Sequence, residues 1–132
     1  MGAYFASGVL AMLSAFALLT SYSAFRTPKL FAERLGFDLA GADGLNEVRA
    51  QYGGFYLVVG IVGALALVGR LPLSSGLLLM TVIFGGLVLG RFVSLVLDGG
   101  WSKYRRDMIR ALFLIDSLGV VVSGTALTAS LS

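Results

Sequence analysis

The 132 residues are 58% hydrophobic and only 13% charged, whereas a soluble domain averages about 45–50% apolar and about 25% charged. With a mean hydropathy of +0.92, this composition excludes an ordinary soluble domain and describes an integral membrane protein of a length suited to one compact domain. Cysteine and histidine are both absent, which removes disulfides, thiol nucleophiles, the commonest general base and the commonest metal ligands, and the formal charge of +3 matters less than where it falls.

A helix needs about 20 apolar residues to cross the hydrocarbon core. The first such segment runs from Gly2 to Ala24. It lacks the positively charged start of a secretory signal, and YSAF is a poor cleavage site, so a retained helix is expected. Thr27-Pro28 then reads as an N-cap with proline at the first helical position. The stretch KLFAERLGF alternates apolar and charged residues at helical spacing. It predicts a short interfacial helix ending near Gly36, with DLAGADG as a loop after it. Asn46 reads as the N-cap of the second span, with Glu47 at the positive end of the helix dipole. That span is placed at 47–69. Arg70, Leu71 and Pro72 break the chain before a third span at 73–97, which Asp98, Gly99 and Gly100 end. The fourth is placed at 108–129. The expected fold is all-α: a four-helix transmembrane bundle in a single domain, 1–132, with a short interfacial helix between helices 1 and 2.

Basic residues sort onto two of the three connections. Arg26, Lys29, Arg34 and Arg49 flank the first, and Lys103, Arg105, Arg106 and Arg110 flank the third. Only Arg70 serves the second, and neither end of the chain carries a basic side chain. The positive-inside rule puts the first and third connections in the cytoplasm and both termini outside. In WSKYRRDMIR, Trp101 and Tyr104 are expected at headgroup level and the cations against anionic lipid.

A rise of 1.5 Å per residue turns sequence position into depth. Arg91 lies seven residues before Asp98, roughly 10 Å inside the cytoplasmic edge. Asp116 lies six residues past Arg110, about 9 Å inside from the same side. Gln51 is about 6 Å deep in the second span, and Thr20 lies at a similar level. A charge in hydrocarbon costs about 2.5–3.5 kcal/mol on insertion scales, so such residues face the bundle and pair. Arg91 with Asp116 is the favoured pair. Glu47 is a second partner within reach of arginine's planar fork. Tyr52 and Tyr56 share a helix face with Arg49 and either line a cavity or pack. The candidate polar cluster is therefore Glu47, Arg49, Gln51, Tyr52, Arg91, Asp98 and Asp116. It serves either as a structural ion pair that fixes helix register or as a site for an ion, a proton or an anionic headgroup. Gly53, Gly86, Gly90 and Gly119 are candidates for close helix packing, within one chain or between chains.

Two motifs, NE-x-RA-x-YGG (Asn46–Gly54) and GG-x-x-x-GR (Gly85–Arg91), resemble a bacterial family of small four-helix membrane proteins known as domain of unknown function 4345. The resemblance covers most of the chain. The family-like positions are Asn46, Glu47, Arg49, Tyr52, Gly53, Gly54, Gly86, Gly90, Arg91 and Asp98. More loosely, the layout is similar to the DoxX-like group, a likeness of architecture that carries little chemistry. The resemblance implies a bacterial inner-membrane protein and supplies no activity.

Three classes of function remain. An enzyme is poorly supported: HExxH, GxSxG and a phosphate loop are all missing, and no catalytic residue, metal site or cofactor is expected. A transporter acting as an oligomer would use Asp116 as an embedded carboxylate, but an arginine at the same depth favours the charged form, and no proline interrupts a span. The favoured class is an accessory bundle that binds membrane lipid or a partner, as a homo-oligomer or within a larger membrane complex. No nucleic-acid partner is expected. A cavity reaching Arg91 and Asp116 favours ligand binding or transport, and a sealed cluster favours a structural pair.

Overall fold

The computed structural model describes residues 2–100 and 107–131. The basic stretch containing Trp101, Lys103, Tyr104, Arg105 and Arg106 lies outside the described residues. Every element is helical: α1 (Gly2–Arg26), α2 (Pro28–Leu35), α3 (Gly41–Val48), a π-helical stretch (Arg49–Gly54), α4 (Phe55–Leu67), α5 (Leu73–Leu97) and α6 (Asp107–Leu131). Four helices are long and apolar enough to cross a membrane: Gly2–Arg26, Gly41–Leu67, Leu73–Leu97 and Met108–Leu131. The chain is thus a multi-pass membrane protein by the length and composition of its helices. Leucine, valine and phenylalanine side chains such as Val58, Leu89, Phe92 and Val121 stand exposed on the outer faces, where lipid replaces water as solvent.

The short elements follow local chemistry. Pro28 starts α2, and Gly36, at φ 90°, ends it with its N–H on the Ala32 and Glu33 carbonyls. Thr27 holds the cap position without capping; its hydroxyl donates back to the Ser23 carbonyl at 3.2 Å. DLAGADG is not all loop, and Asn46 is not an N-cap, because the second spanning helix begins at Gly41. Gly41 takes φ +60°, a turn that glycine makes without strain. Asp43 then lies in the first turn, where the helix dipole favours it, and Val48 buries against Ala24 and Ala32. Packing against α1 and α2 thus extends a helix that composition alone marks as a loop.

The bundle has two unlike ends. At the end bearing the α4–α5 turn, Leu10, Leu13, Val59, Ala66, Leu77, Met80 and Ala126 form a closed core. Glycines let the backbones approach there. A Cβ on Gly60 would meet Leu18 Cγ at 2.6 Å, and one on Gly119 would meet the Phe84 ring at 2.5 Å. At the other end lie α2, the π-helical stretch, the last turns of α5 and the start of α6, and these enclose space.

Candidate functional site

That space is a cavity of about 380 Å³. Its walls come from α1 (Phe16, Thr20), α2 (Phe31, Arg34), the π-helical stretch and α4 (Tyr52, Tyr56), α5 (Leu87, Arg91) and α6 (Leu112, Asp116), among others. Phe16 packs on the core residue Phe84 with ring centroids 6.3 Å apart, so the cavity ends where the closed core begins. Among the described residues, Arg34, Arg91 and Asp116 are its only acidic or basic lining side chains.

Arg91 Nε donates to Asp116 Oδ2 at 2.5 Å. The two helices run antiparallel, and the depths counted from the α5–α6 connection coincide, so the charges meet. The pair is asymmetric toward the cavity: the Arg91 side chain is 25% exposed and the Asp116 side chain only 5%. The carboxylate sits behind, and the guanidinium faces the open space.

An aromatic row lies along the same wall. Phe31 and Tyr52 have ring centroids 5.2 Å apart, and Tyr52 stacks on Tyr56 at 6.3 Å with an interplanar angle of 10°. The π-helical stretch explains which side chains join it. In an unbroken α-helix Arg49, Tyr52 and Tyr56 would share one face. A π turn closes i→i+5 hydrogen bonds and shifts that register. Both tyrosines line the cavity, while Arg49 is exposed outside it.

The candidate cluster therefore divides. Tyr52, Arg91 and Asp116 come together around the cavity. Glu47 is not a partner of Arg91; it accepts a hydrogen bond from Gln51 Nε2 at 2.8 Å on an exposed face. Helical depth places Glu47 at the right level but says nothing of the direction in which it points. Asp98 ends α5 and accepts from Ser94 Oγ at 2.9 Å. Of the packing glycines, Gly53 abuts Phe25 and Gly119 abuts Phe84, but a Cβ on Gly86 or Gly90 would meet nothing within 4 Å. Among the described residues, those two mark no close helix packing. No group of three or more acidic, histidine or cysteine side chains that could hold a metal occurs among the described residues.

Sequence reasoning did not single out Phe16, Phe31 or Arg34 as site residues. A signal existed for two of them: Phe31, Arg34 and Leu35 stand at i, i+3 and i+4 on α2, one helical face, and all three line the cavity. The π-helical stretch has no sequence signature of comparable clarity.

The model of a family described as domain of unknown function (DUF4345) matches residues 5–109. The chain belongs to that family. No curated protein and no solved structure matches it.

Proposed function

We propose that this member of the DUF4345 family is an accessory membrane protein that binds a small amphiphilic molecule in the cavity beside Arg91 and Asp116. The observation that carries the reading is the open space of about 380 Å³ that reaches the ion pair. A pair serving only to fix helix register needs no cavity against it. The volume lies within the about 300–1,000 Å³ of ordinary ligand sites, and the mix of apolar walls with a few polar groups is what such sites use. Arg26, Lys29, Arg34 and Arg49 gather at the cavity end, which supports a cytoplasmic position for that end in a bacterial inner membrane, with both termini outward.

A transporter acting as an oligomer is the second reading. It is favoured by the α5 face around Gly86 and Gly90, where an added Cβ would meet no described atom within 4 Å, an open surface that suits a second helix.

Native mass spectrometry of the protein released from lipid nanodiscs tests the binding reading. The expected result is a retained amphiphile on the wild type that Thr20→Trp, which fills the cavity from α1, abolishes without lowering thermal stability. A wild-type protein that emerges bare from every lipid mixture overturns the reading. Vectorial cysteine labelling at either terminus tests the orientation, and reagent access from the cytoplasmic side would reverse it.

A further inference from the structure

We infer that the ligand of this cavity is a monoanionic amphiphile, its head held between Arg91 and Arg34 and its tail laid along the apolar walls of Phe16, Leu87 and Leu112. The inference rests on the binding reading above and adds the charge and shape of what binds.

The first ground is the geometry of the ion pair. Arginine carries five N–H donors. Arg91 uses its Nε on Asp116, and among the described residues no second carboxylate forms an ion pair with it. Donors of a charged group that face a low-dielectric space without partners are costly, and a bidentate oxyanion is the partner that their planar fork matches best. Asp116 also lines the cavity, but at 5% exposure against 25% for Arg91 it presents less of itself, so a ligand head meets mainly the cation.

The second ground is Arg34. It lines the same cavity from α2 and has no ion-pair partner among the described residues. Among the described lining residues two basic side chains face one carboxylate, an excess of one positive charge that a single negative charge neutralises. A cationic ligand would face that excess directly.

The third ground is size and lining. Apart from these charges, the walls are mainly phenylalanine, leucine and tyrosine. At about 380 Å³ the space lies near the lower end of the about 300–1,000 Å³ of ordinary ligand sites. A head with one short chain fits; a two-chain lipid would have to leave most of its tail in the bilayer. Carboxylate and phosphodiester heads share the required chemistry, and a free anion shares it without the tail.

The test is equilibrium binding of labelled dodecanoate to the full chain in phosphatidylcholine nanodiscs, corrected for empty discs. Dodecanol, dodecyltrimethylammonium, inorganic phosphate and phosphatidylglycerol serve as competitors. Dodecanoate is expected to bind, and dodecyltrimethylammonium and phosphate alone are expected not to displace it. Competition by phosphatidylglycerol would identify a membrane lipid as a source of the head, and its absence would identify single-chain carboxylates; either outcome supports the anionic head. Arg34→Gln and the double variant Arg91→Gln/Asp116→Asn, which replaces the ion pair with two neutral amides, should each weaken dodecanoate by at least about tenfold, the worth of one charge-assisted hydrogen bond. Labelled dodecanol, whose neutral head gains less from the guanidinium groups, should weaken far less than dodecanoate in these variants. If dodecanoate and dodecanol bind the wild type equally and the variants leave their ratio unchanged, the anionic head is wrong while amphiphile binding stands. If phosphate alone displaces dodecanoate, the tail contributes nothing and that part falls. If no probe binds above empty discs, the binding reading itself fails.

Discussion

The two ends of the bundle are built from the same few residue types and reach opposite results. At the closed end, Gly60, Gly63, Gly76 and Gly119 each stand so near a neighbouring helix that a Cβ would collide, and Leu10, Leu77 and Met80 are fully enclosed. At the cavity end, a Cβ on Gly85, Gly86 or Gly90 would meet no described atom within 4 Å, and the α5 residues from Phe92 to Leu97 are exposed or half-buried. Glycine content does not separate the ends; what faces each glycine does. In a bilayer no hydrophobic force drives helices together, because lipid is as apolar as leucine. Packing must be supplied by shape. The closed end supplies it, and the cavity end leaves room for something else to fill.

The sharpest way to break this contrast is at the ion pair that borders both regions. Removing one partner of a buried pair costs about 3–5 kcal/mol, because the other charge is left uncompensated. Arg91→Ala is expected to cost more than Asp116→Ala. Asp116 is covered, whereas Arg91 already reaches the cavity and can turn its guanidinium toward it. Unfolding in mixed micelles, followed by loss of helical circular dichroism, measures both. Equal losses would mean that the cavity does not relieve the arginine.

The next effect belongs to the closed end. Gly119→Val puts a branched side chain where the Phe84 ring lies 2.5 Å from the Cβ position. Overpacking of this kind costs about 1–3 kcal/mol. Gly60→Val, against Leu18 at 2.6 Å, should fall in the same range. A neutral outcome at both positions in the same unfolding assay would show that the closed end has slack.

These residues also show what a sequence can convey about such a protein. The pairing of Arg91 with Asp116 is legible because helix rise is fixed and both depths are counted from one membrane edge. Direction around the helix axis is less legible. Four apolar spans give weak periodicity, so Glu47 and Arg49 share a level with the cavity yet point elsewhere, and the π turn rotates Tyr52 and Tyr56 inward without announcing itself. GG-x-x-x-GR illustrates the same limit from the other side. Glycines four apart look alike whether they face a helix or lipid, and here Gly86 and Gly90 are open while Gly60 and Gly119, in less regular surroundings, make the contacts. The early start of the second span at Gly41 was hidden because Gly and Asp usually signal turns, and burial of Val48 against α1 and α2 decides otherwise.

Smaller effects test the hydroxyls of the closed end. Ser14 Oγ is buried without a hydrogen-bond partner, and it lies against the Cα of Gly63 closely enough that a Cβ there would clash with it. Serine is used here for its size. Ser14→Ala should therefore be neutral or stabilising by up to about 1 kcal/mol, since an unsatisfied polar group is removed. Thr81 and Ser123 are the contrary case. Thr81 Oγ1 donates to Ser123 Oγ at 3.0 Å, and Ser123 donates to the Gly119 carbonyl at 2.6 Å, which ties α5 to α6. Ser123→Ala should lose about 0.6 kcal/mol, the mean for interhelical hydrogen bonds in membranes. A lowered thermal midpoint for Ser123→Ala, against an unchanged or raised one for Ser14→Ala, is the expected readout.

The smallest effect bears on the open face of α5. Replacing glycine with alanine inside a helix gains about 0.5–1 kcal/mol when nothing obstructs the new methyl group. A Cβ at Gly86 or Gly90 meets no atom within 4 Å, so Gly86→Ala and Gly90→Ala should each raise the unfolding midpoint slightly, where Gly119→Ala and Gly60→Ala lower it. The same substitutions read out whether a second helix rests on this face. Small residues matter at a membrane interface because they admit a partner's backbone, and one methyl group holds that backbone away. If either alanine variant is less stable than the wild type, or shifts the protein to a smaller particle in analytical ultracentrifugation, the face is occupied by another chain. A small gain in stability with no change in particle size leaves it to lipid, and the contrast between the two ends of the bundle then holds at the level of single glycines.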